Sequence, residues 1–357
     1  MRAMTAKTAK TAAKTAKTKS MKTKTQKILT VIGGLLVAGV LLLGTGAYFY
    51  GPTLTAMTTG SARFLGTDSP KRYTSTVLSL AEQGIYADSK EFADAAEHAR
   101  EAAKQADSLD DVRAPLNDAV RAAGGKHSRL IEPDEQRSDD DAADSASSPA
   151  AGVEQKDGLA WATVPGIDRN DDIQGYADTL SNGLATARDN GACGAVVDLR
   201  GNGGGDMGPM LAGLSPLLPD GTALEFEFGA RTNAVTVDGN SVKGGGTPLT
   251  TAGGKWDVPV AVLVDGETAS SGEATMLSFR GLDNSRSFGT PTAGFASANT
   301  VYDFPDGSEL MLTIAKDRDR NGATYSEDPI DPDMKTDSGD VAAAEAERWL
   351  RDQSGCS

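Results

Sequence analysis

Two short apolar runs limit the fold of this chain more than any other feature. The runs ACGAVVDL (residues 192–199) and VPVAVLVD (residues 258–265) are each of strand length, and a turn rich in glycine or serine follows each. Unbroken apolar runs of this length are typical of strands that are buried on both faces of a sheet. We therefore expect both runs in the central layer of an α/β protein.

The segments around these runs alternate between strand and helix patterns. Predicted helices are IQGYADTLSNGLATARDNG, SGEATMLSFRGL and SGDVAAAEAERWLRDQ, and further predicted strands are LAWATV, RSFGTP and SELMLTIAKDR. The stretch ALEFEFGARTNAVTVDGNSV has period-two patterning with turn residues and predicts a hairpin or meander. Strand–helix–strand alternation predicts a central α/β layer with added β structure, which we assign to residues 158–357.

The region before this core has a helical pattern. Apolar residues recur at three- and four-residue spacings between about 60 and 124, and the pattern stops at a Gly-Gly pair. We assign residues 51–133 to this helical region, in which His98 is predicted to be solvated and His127 follows the glycines. Residues 134–157 are acidic, small and polar, and we expect a flexible loop.

The N-terminal 50 residues predict a membrane anchor. Residues 1–27 carry nine Lys+Arg and no acid, and we expect a disordered tail; residues 28–50 carry no charge at all. A helix of that length covers about 34 Å, enough for a hydrocarbon core of roughly 30 Å. A cleavable signal peptide is the alternative, but its apolar region would be shorter and no clear cleavage site follows. Lysines before the span place the N-terminus in the cytoplasm and the remainder outside.

Charge and cysteine content limit the partners. Beyond residue 27 the chain carries 26 basic against 50 acidic residues, a net charge of −24, and we expect no nucleic-acid partner. An extracytoplasmic site would permit a disulfide between Cys193 and Cys356, but Cys193 lies in an apolar strand pattern, which favours a buried free thiol. No Cys/His cluster indicates a metal, and we expect no cofactor.

The glycine-rich turn DLRGNGGGD (residues 198–206) allows several interpretations. A dinucleotide-binding loop would need an acid at the end of a second strand about twenty residues on, and a phosphate-binding loop would need Gly-Lys-Ser/Thr; both features are absent. A simple tight turn and an oxyanion hole built from free amides both remain open.

Ser270 lies in VLVDGETASSGEATML, where a predicted buried strand runs into a turn and then a helix. A serine at such a junction sits at the helix N-terminus, where free amides and the helix dipole favour negative charge on an attacking oxygen. A capping box is the alternative, because Glu273 follows Ser270 by three residues.

Five motifs in order decide between these alternatives by resemblance. DLRGNGGG, TASSGE, RSFGTPTAG, FPDGSELMLTIAKDRDRNG and IDPD resemble the S41 family of serine peptidases over roughly residues 157–335. The resemblance implies an α/β core of the S41 type and a peptidase that cuts near the C-terminal end of a peptide or protein. It also implies that Ser270 is the nucleophile, with Glu273 as the nearby acid that orients the site or caps the helix.

One departure changes the expected mechanism. Many S41 enzymes pair the serine with a lysine, but in TAGFASAN (residues 292–299) Phe295 stands at the lysine position and Asn299 at that of its glutamine partner. A minority branch, including the tricorn and nisin-resistance types, places a histidine upstream instead. The chain resembles the nisin-resistance type further in its N-terminal anchor, its GGKHS turn and the absence of room for a PDZ domain. This resemblance implies a Ser270/His127 dyad.

The remaining expectations follow from this assignment. We expect the oxyanion hole to combine the Ser271 amide with that of Gly204 or Gly205, and Glu327 roughly matches the acidic third member of tricorn-type sites. The resemblance implies a substrate such as a cationic lantibiotic, which the acidic ectodomain would attract. Two alternatives are a general processing protease for exported proteins and an inactive S41 fold that binds peptides.

Overall fold

The computed structural model describes residues 43–66, 69–133 and 150–353, and four isolated residues before them. The predictions for residues 1–27, for most of the apolar run 28–50 and for residues 134–149 lie outside the described residues.

A six-stranded sheet forms the centre of the molecule. Its strands are β2 (Gly152–Lys156), β3 (Leu159–Thr163), β4 (Ala195–Asp198), β9 (Val260–Val264), β10 (Ser285–Gly289) and β14 (Met334–Lys335), and their order is β14-β10-β9-β4-β3-β2. All neighbours are parallel except β2 and β3, which form an antiparallel hairpin. Both apolar runs therefore lie in the centre of the sheet, side by side, as predicted.

Helices cover both faces of this sheet. On one face lie α4 (Ile173–Asp189), α5 (Met207–Leu214) and α6 (Ser271–Phe279), and on the other lies α7 (Gly339–Asp352). Alternate residues of β9 point to opposite sides, with Val262 in the first cluster and Leu263 in the second. Burial on both faces explains why the run is apolar at every position.

A second sheet is antiparallel and packs beside the first. Its strands are β1 (Arg129–Ile131), β5 (Gly221–Phe228), β6 (Arg231–Asp238), β7 (Ser241–Lys243), β8 (Leu249–Thr250), β11 (Ser297–Asp303), β12 (Glu309–Arg318) and β13 (Thr324–Tyr325). The order is β1-β12-β5-β6-β7-β8, and β11 and β13 also pair with β12. The predicted meander is thus β5 to β7, and β12 is the strand to which most of the sheet is joined.

The N-terminal region contains three helices after residue 69: α1 (Pro70–Ala81), α2 (Lys90–Gln105) and α3 (Asp110–Gly124). As the Gly-Gly stop predicted, α3 ends at Gly124, and Gly125 takes a φ of 82°. The three helices share one buried cluster with Leu310 and Leu312 of β12. The helical region is therefore packed directly against the second sheet.

The hairpin of β2 and β3 corrects the predicted flexible loop 134–157. Residues 152–156 form a strand that ends in an Asp157-Gly158 turn, with φ values of 49° and 78°. Both turn residues have positive φ, as in the tight Asp-Gly turns that match the twist of paired strands. The acidic composition obscured this hairpin signal.

Cys193 also differs from its prediction. The expected buried free thiol is wrong, because Cys193 is only partly buried and is disulfide-bonded. It precedes β4 rather than lying inside the strand, so its side chain is not enclosed by the sheet. The other cysteine of the chain, Cys356, lies outside the described residues.

The predicted membrane span is described only at its end. Residues 43–59 are helical, so the helix continues beyond Tyr50. Within the described part of the chain, no helix combines the length and the apolar character that a bilayer crossing requires.

The shared cluster makes a prediction about cooperativity. Leu116 of α3 is fully buried in it, and we expect Leu116→Ala to lower the free energy of unfolding by about 2–5 kcal/mol. All three tryptophans lie outside the helical region, at 161, 256 and 349. Tryptophan fluorescence in urea should therefore report the loss as a lower midpoint.

Leu65→Ala is the control, because the Leu65 side chain is 59% exposed. An unchanged tryptophan midpoint for Leu116→Ala, with early loss of helical circular dichroism, would show that the helices unfold separately.

Candidate active site

Two turns meet at the carboxyl end of the central sheet. β4 and β9 are parallel neighbours, so the glycine-rich turn after β4 and the serine turn after β9 leave the same edge. The backbone N–H of Ala269 donates to the Asn202 carbonyl at 2.9 Å, and Asp265 accepts the Gly201 N–H at 3.1 Å. These bonds hold the two turns together.

The approach of the two turns is too close for side chains at some positions. A Cβ at Gly204, where φ is 110°, would lie 2.8 Å from the Ser270 Cβ, and a Cβ at Gly272 would lie 2.7 Å from the Asn202 carbonyl oxygen. Glycine at these positions therefore lets the backbone of one turn reach the serine of the other.

Ser270 has an unusual backbone conformation. It lies between β9 and α6 with φ 52° and ψ −118°, a region that a serine rarely adopts. Such a conformation costs about 1–3 kcal/mol and is concentrated at functional sites. A nucleophilic serine on a sharp strand-to-helix turn is a recurring device that exposes its hydroxyl. The sequence identified the junction but not the strain.

Glu273 is fully buried and holds Ser270 against a third segment. Its carboxylate accepts the Ser270 N–H at 2.9 Å, which confirms that part of the predicted capping box. It also accepts the N–H groups of Gly294 at 3.0 Å and Phe295 at 2.7 Å, and the Thr292 hydroxyl. Burial raises the pKa of Glu273, and these four donors oppose the rise.

His127 contacts the same segment. It follows α3 in the GGKHS turn, and its ring lies 5.0 Å from the Phe295 ring, edge to face. Its Nδ1 lies 3.1 Å from the hydroxyl oxygen of Ser297. Burial lowers the pKa of His127 from 6.5 to about 4, and the charges of Arg129 and Lys126 add to the effect. The imidazole is therefore neutral near pH 7 and can accept a proton.

Ser270 and His127 are both linked to the segment 292–297, Ser270 through the Glu273 carboxylate and His127 directly, but no hydrogen bond joins Ser270 to His127 within the described residues. Phe295 lies between the two: its N–H binds the carboxylate that also binds Ser270, and its ring contacts the imidazole. The residue at the family's lysine position thus takes part in packing the histidine.

The predicted oxyanion donors differ in their bonding. The Gly204 N–H donates to Asn202 Oδ1 at 2.9 Å and is therefore already engaged. In the described part of the chain, the N–H groups of Gly205 and Ser271 donate to no acceptor, while the Ser271 hydroxyl donates to the Gly205 carbonyl at 2.7 Å. This pair of amides is the better candidate.

The other residues that the sequence singled out have their own partners or lie on the surface. Glu327 accepts the backbone N–H of Lys126, next to His127, so it contacts the histidine turn rather than the imidazole. Asn299 Oδ1 accepts from the Thr313 hydroxyl at 2.8 Å within the second sheet. His98 is exposed on α2, as predicted. No group of acidic, histidine or cysteine side chains suited to a metal occurs among the residues that the structure describes.

Comparison with known proteins identifies the family. The model of peptidase family S41 matches residues 166–336. The nisin-resistance protein of Lactococcus lactis subsp. lactis is 35% identical over 295 residues, which are 81% of this chain and 90% of that protein.

The chain belongs to peptidase family S41.

Two further matches are informative. The carboxy-terminal processing protease CtpA of Bacillus subtilis is 28% identical over 177 residues, 48% of this chain and 35% of that enzyme. A solved structure of a lipoprotein from Streptococcus agalactiae superposes with a TM-score of 0.67 at 28% identity, and the match covers 81% of this chain and 98% of that one. The mixed α/β architecture with N-terminal helices is therefore that of an S41-type protease.

Two buried residues of this S41 site escaped the sequence analysis. Asn202 is fully buried. Its side chain binds within the glycine-rich turn, and its backbone carbonyl binds the serine turn. In the sequence, the only sign of this role is an asparagine between glycines. Asp317 of β12 is 1% exposed, and its Oδ1 has no hydrogen-bond partner in the described chain. Burial raises the pKa of Asp317 well above its usual value, and the nearby charge of Glu273 adds to this.

The buried Asp317 predicts a pH-dependent stability. A carboxyl whose folded pKa is raised contributes stability at low pH and loses it as the pH rises through the folded pKa. We therefore expect Asp317→Asn, which cannot ionise, to unfold at a higher temperature than wild type at pH 8, by several degrees. The gain should shrink or vanish at pH 4.

Asp319→Asn is a matched comparison, because Asp319 is also buried but accepts several hydrogen bonds from its own loop. It should lower the melting temperature at both pH values. An Asp317→Asn protein that melts lower than wild type at pH 8 would contradict the assignment of a neutral acid.

Proposed function

We propose that the protein is a membrane-anchored, extracytoplasmic serine peptidase in which Ser270 is the nucleophile and His127 the general base. The observation that carries the proposal is that Ser270 and His127 are both tied to the segment 292–297, where the family's lysine position holds Phe295. Ser270 is tied to it through the Glu273 carboxylate, and His127 through Phe295 and Ser297. The strained backbone of Ser270 and the neutral state of His127 support the same assignment.

The proposed chemistry follows acyl transfer. The Ser270 hydroxyl attacks the scissile carbonyl while His127 Nε2 takes its proton and then returns it to the leaving amine. The oxyanion is stabilised by the amides of Ser271 and Gly205, and each such donor typically lowers the activation barrier by about 3 kcal/mol. Water then attacks the ester, while His127 takes a proton from the water and returns it to the Ser270 oxygen. Hydrogen bonds between nucleophile and base are often long or poorly aligned before the substrate binds and tighten in the complex.

The substrate class is proposed from the relative and from charge. The relative that shares 35% identity over most of the chain is a nisin-resistance protein. We propose a cationic lantibiotic of the nisin type, cleaved near its C-terminal end. A chain with a net charge of −24 beyond residue 27 would attract such a peptide over long range.

The proposed location rests on two features. Residues 28–50 carry no charge and follow a basic tail, which fits a single anchor with its N-terminus in the cytoplasm. Cys193 is disulfide-bonded, and disulfides persist chiefly outside the reducing cytosol.

A second candidate function is a processing protease for exported proteins. It is favoured by the 28% identity to a carboxy-terminal processing protease, although the chain spans 35% of that enzyme. An inactive peptide-binding module is the alternative outside enzymes. Both alternatives are separated from the proposal by the two experiments that follow.

A fluorophosphonate probe on the full-length protein tests the active site. We expect wild type to be labelled at a rate that falls as the pH drops through about 4, where His127 becomes protonated. Ser270→Ala should abolish labelling, and His127→Ala should slow it by at least about a hundredfold, as loss of a general base does.

His98→Ala is the control, since this exposed residue is the only other histidine of the chain. Equal labelling of wild type and Ser270→Ala would refute the nucleophile, and no labelling of a folded wild type would favour the binding module.

Mass spectrometry of nisin incubated with the full-length protein tests the substrate. We expect loss of a C-terminal fragment with wild type and intact nisin with Ser270→Ala, because the acyl-enzyme cannot form without the hydroxyl. Nisin that stays intact beside a protein that reacts with fluorophosphonate would exclude the lantibiotic and leave the processing protease.

A further inference from the structure

Ser297 is the only described residue whose side chain hydrogen-bonds to the imidazole of His127. Its hydroxyl oxygen lies 3.1 Å from Nδ1, and the side chain is 7% exposed. No carboxylate takes this place: Glu273 is occupied by Ser270 and the 292–295 segment, and Glu327 binds the Lys126 backbone. We infer that Ser297 is the positioning residue of the proposed dyad, which holds the His127 imidazole through Nδ1.

The surroundings of the Ser297 hydroxyl offer its proton an acceptor other than Nδ1. Ser297 Oγ lies 3.5 Å from the Phe295 carbonyl oxygen, which can only accept. The hydroxyl has a single proton, so donation to that carbonyl leaves a lone pair for Nδ1. In that arrangement the ring carries its proton on Nδ1, and Nε2 is the unprotonated nitrogen that a general base requires. The positioning role assigned to Ser297 consists in favouring this reactive tautomer.

Strand pairing and a backbone hydrogen bond hold Ser297 in place. It is the first residue of β11 and pairs with Lys316 of β12, and its N–H donates to the Phe295 carbonyl at 2.8 Å. The edge-to-face contact between Phe295 and His127 holds the ring on its other side. A hydroxyl in place of an acid also leaves the imidazole without a compensating negative charge, which agrees with its neutral state near pH 7.

The inference rests on the proposed function, and its test has a part that needs no turnover. The chain has two histidines, so ¹⁵N-histidine labelling of the full-length protein gives two imidazole signals, and His98→Gln assigns them. We expect the His127 signal at pH 7 to show a proton on Nδ1 alone. In Ser297→Ala that single tautomer should be replaced by a mixture, and Ser297→Thr, which keeps the hydroxyl, should restore it.

The fluorophosphonate rate at Ser270 is the second readout. We expect Ser297→Ala to lower it by about 10- to 100-fold, the range typical when a residue that orients a metal-binding histidine is removed. Ser297→Thr should recover most of the rate. Ser287→Ala is the matched control: Ser287 is a buried serine of β10 that bonds to Asp333, away from the histidine, and its rate should equal that of wild type.

Each outcome decides one question. A wild-type proton on Nε2, or an unchanged rate in a folded Ser297→Ala protein, overturns the positioning role. If Ser297→Ala does not fold, the wild-type tautomer decides alone. If wild type has the Nδ1 proton but no peptidase substrate is found, the lantibiotic proposal fails while the positioning role stands.

Discussion

The buried carboxylate of Glu273 is the interaction on which the candidate site depends. It is shut off from solvent and accepts four hydrogen bonds, one from the serine turn and three from the segment 292–295. A buried carboxylate is costly unless it is fully hydrogen-bonded, so the two segments cannot separate without leaving it unsatisfied. Because Phe295 in turn packs on His127, the same anchor fixes one wall of the imidazole pocket.

Two buried acids near this site, Glu273 and Asp317, differ in their hydrogen-bond donors. Glu273 has donors on all sides, whereas Asp317 beside it has an oxygen with no partner. Two carboxyls at close range in a dry interior do not both ionise readily, and the one with fewer donors keeps its proton. The His127 imidazole is not part of this pair of acids, because its own contacts are a hydroxyl and an aromatic ring.

Much of the architecture could be predicted because it follows from periodicity and turn chemistry. The apolar runs became adjacent parallel strands, and the Gly-Gly pair ended α3 where it was expected. The hairpin of β2 was missed because acidic composition outweighed the Asp-Gly turn, and Cys193 was misjudged because it lies just before its strand. The candidate site residues were predicted by motif, but their bonding was not. The engaged Gly204 amide and the Ser297 contact both depend on tertiary approach between distant segments, which no local pattern encodes.

The two proposed catalytic groups come from different parts of the chain, and this determines when during folding they come together. His127 ends the helical region, while Ser270 lies in the central sheet, and the helices share a buried cluster with β12. In a chain that is still being synthesised or is only partly folded, the base and the nucleophile lie on parts that have not yet packed together. Under the proposed mechanism, the helices must dock on the second sheet before these two groups can act together, so an unassembled molecule would not cleave a peptide.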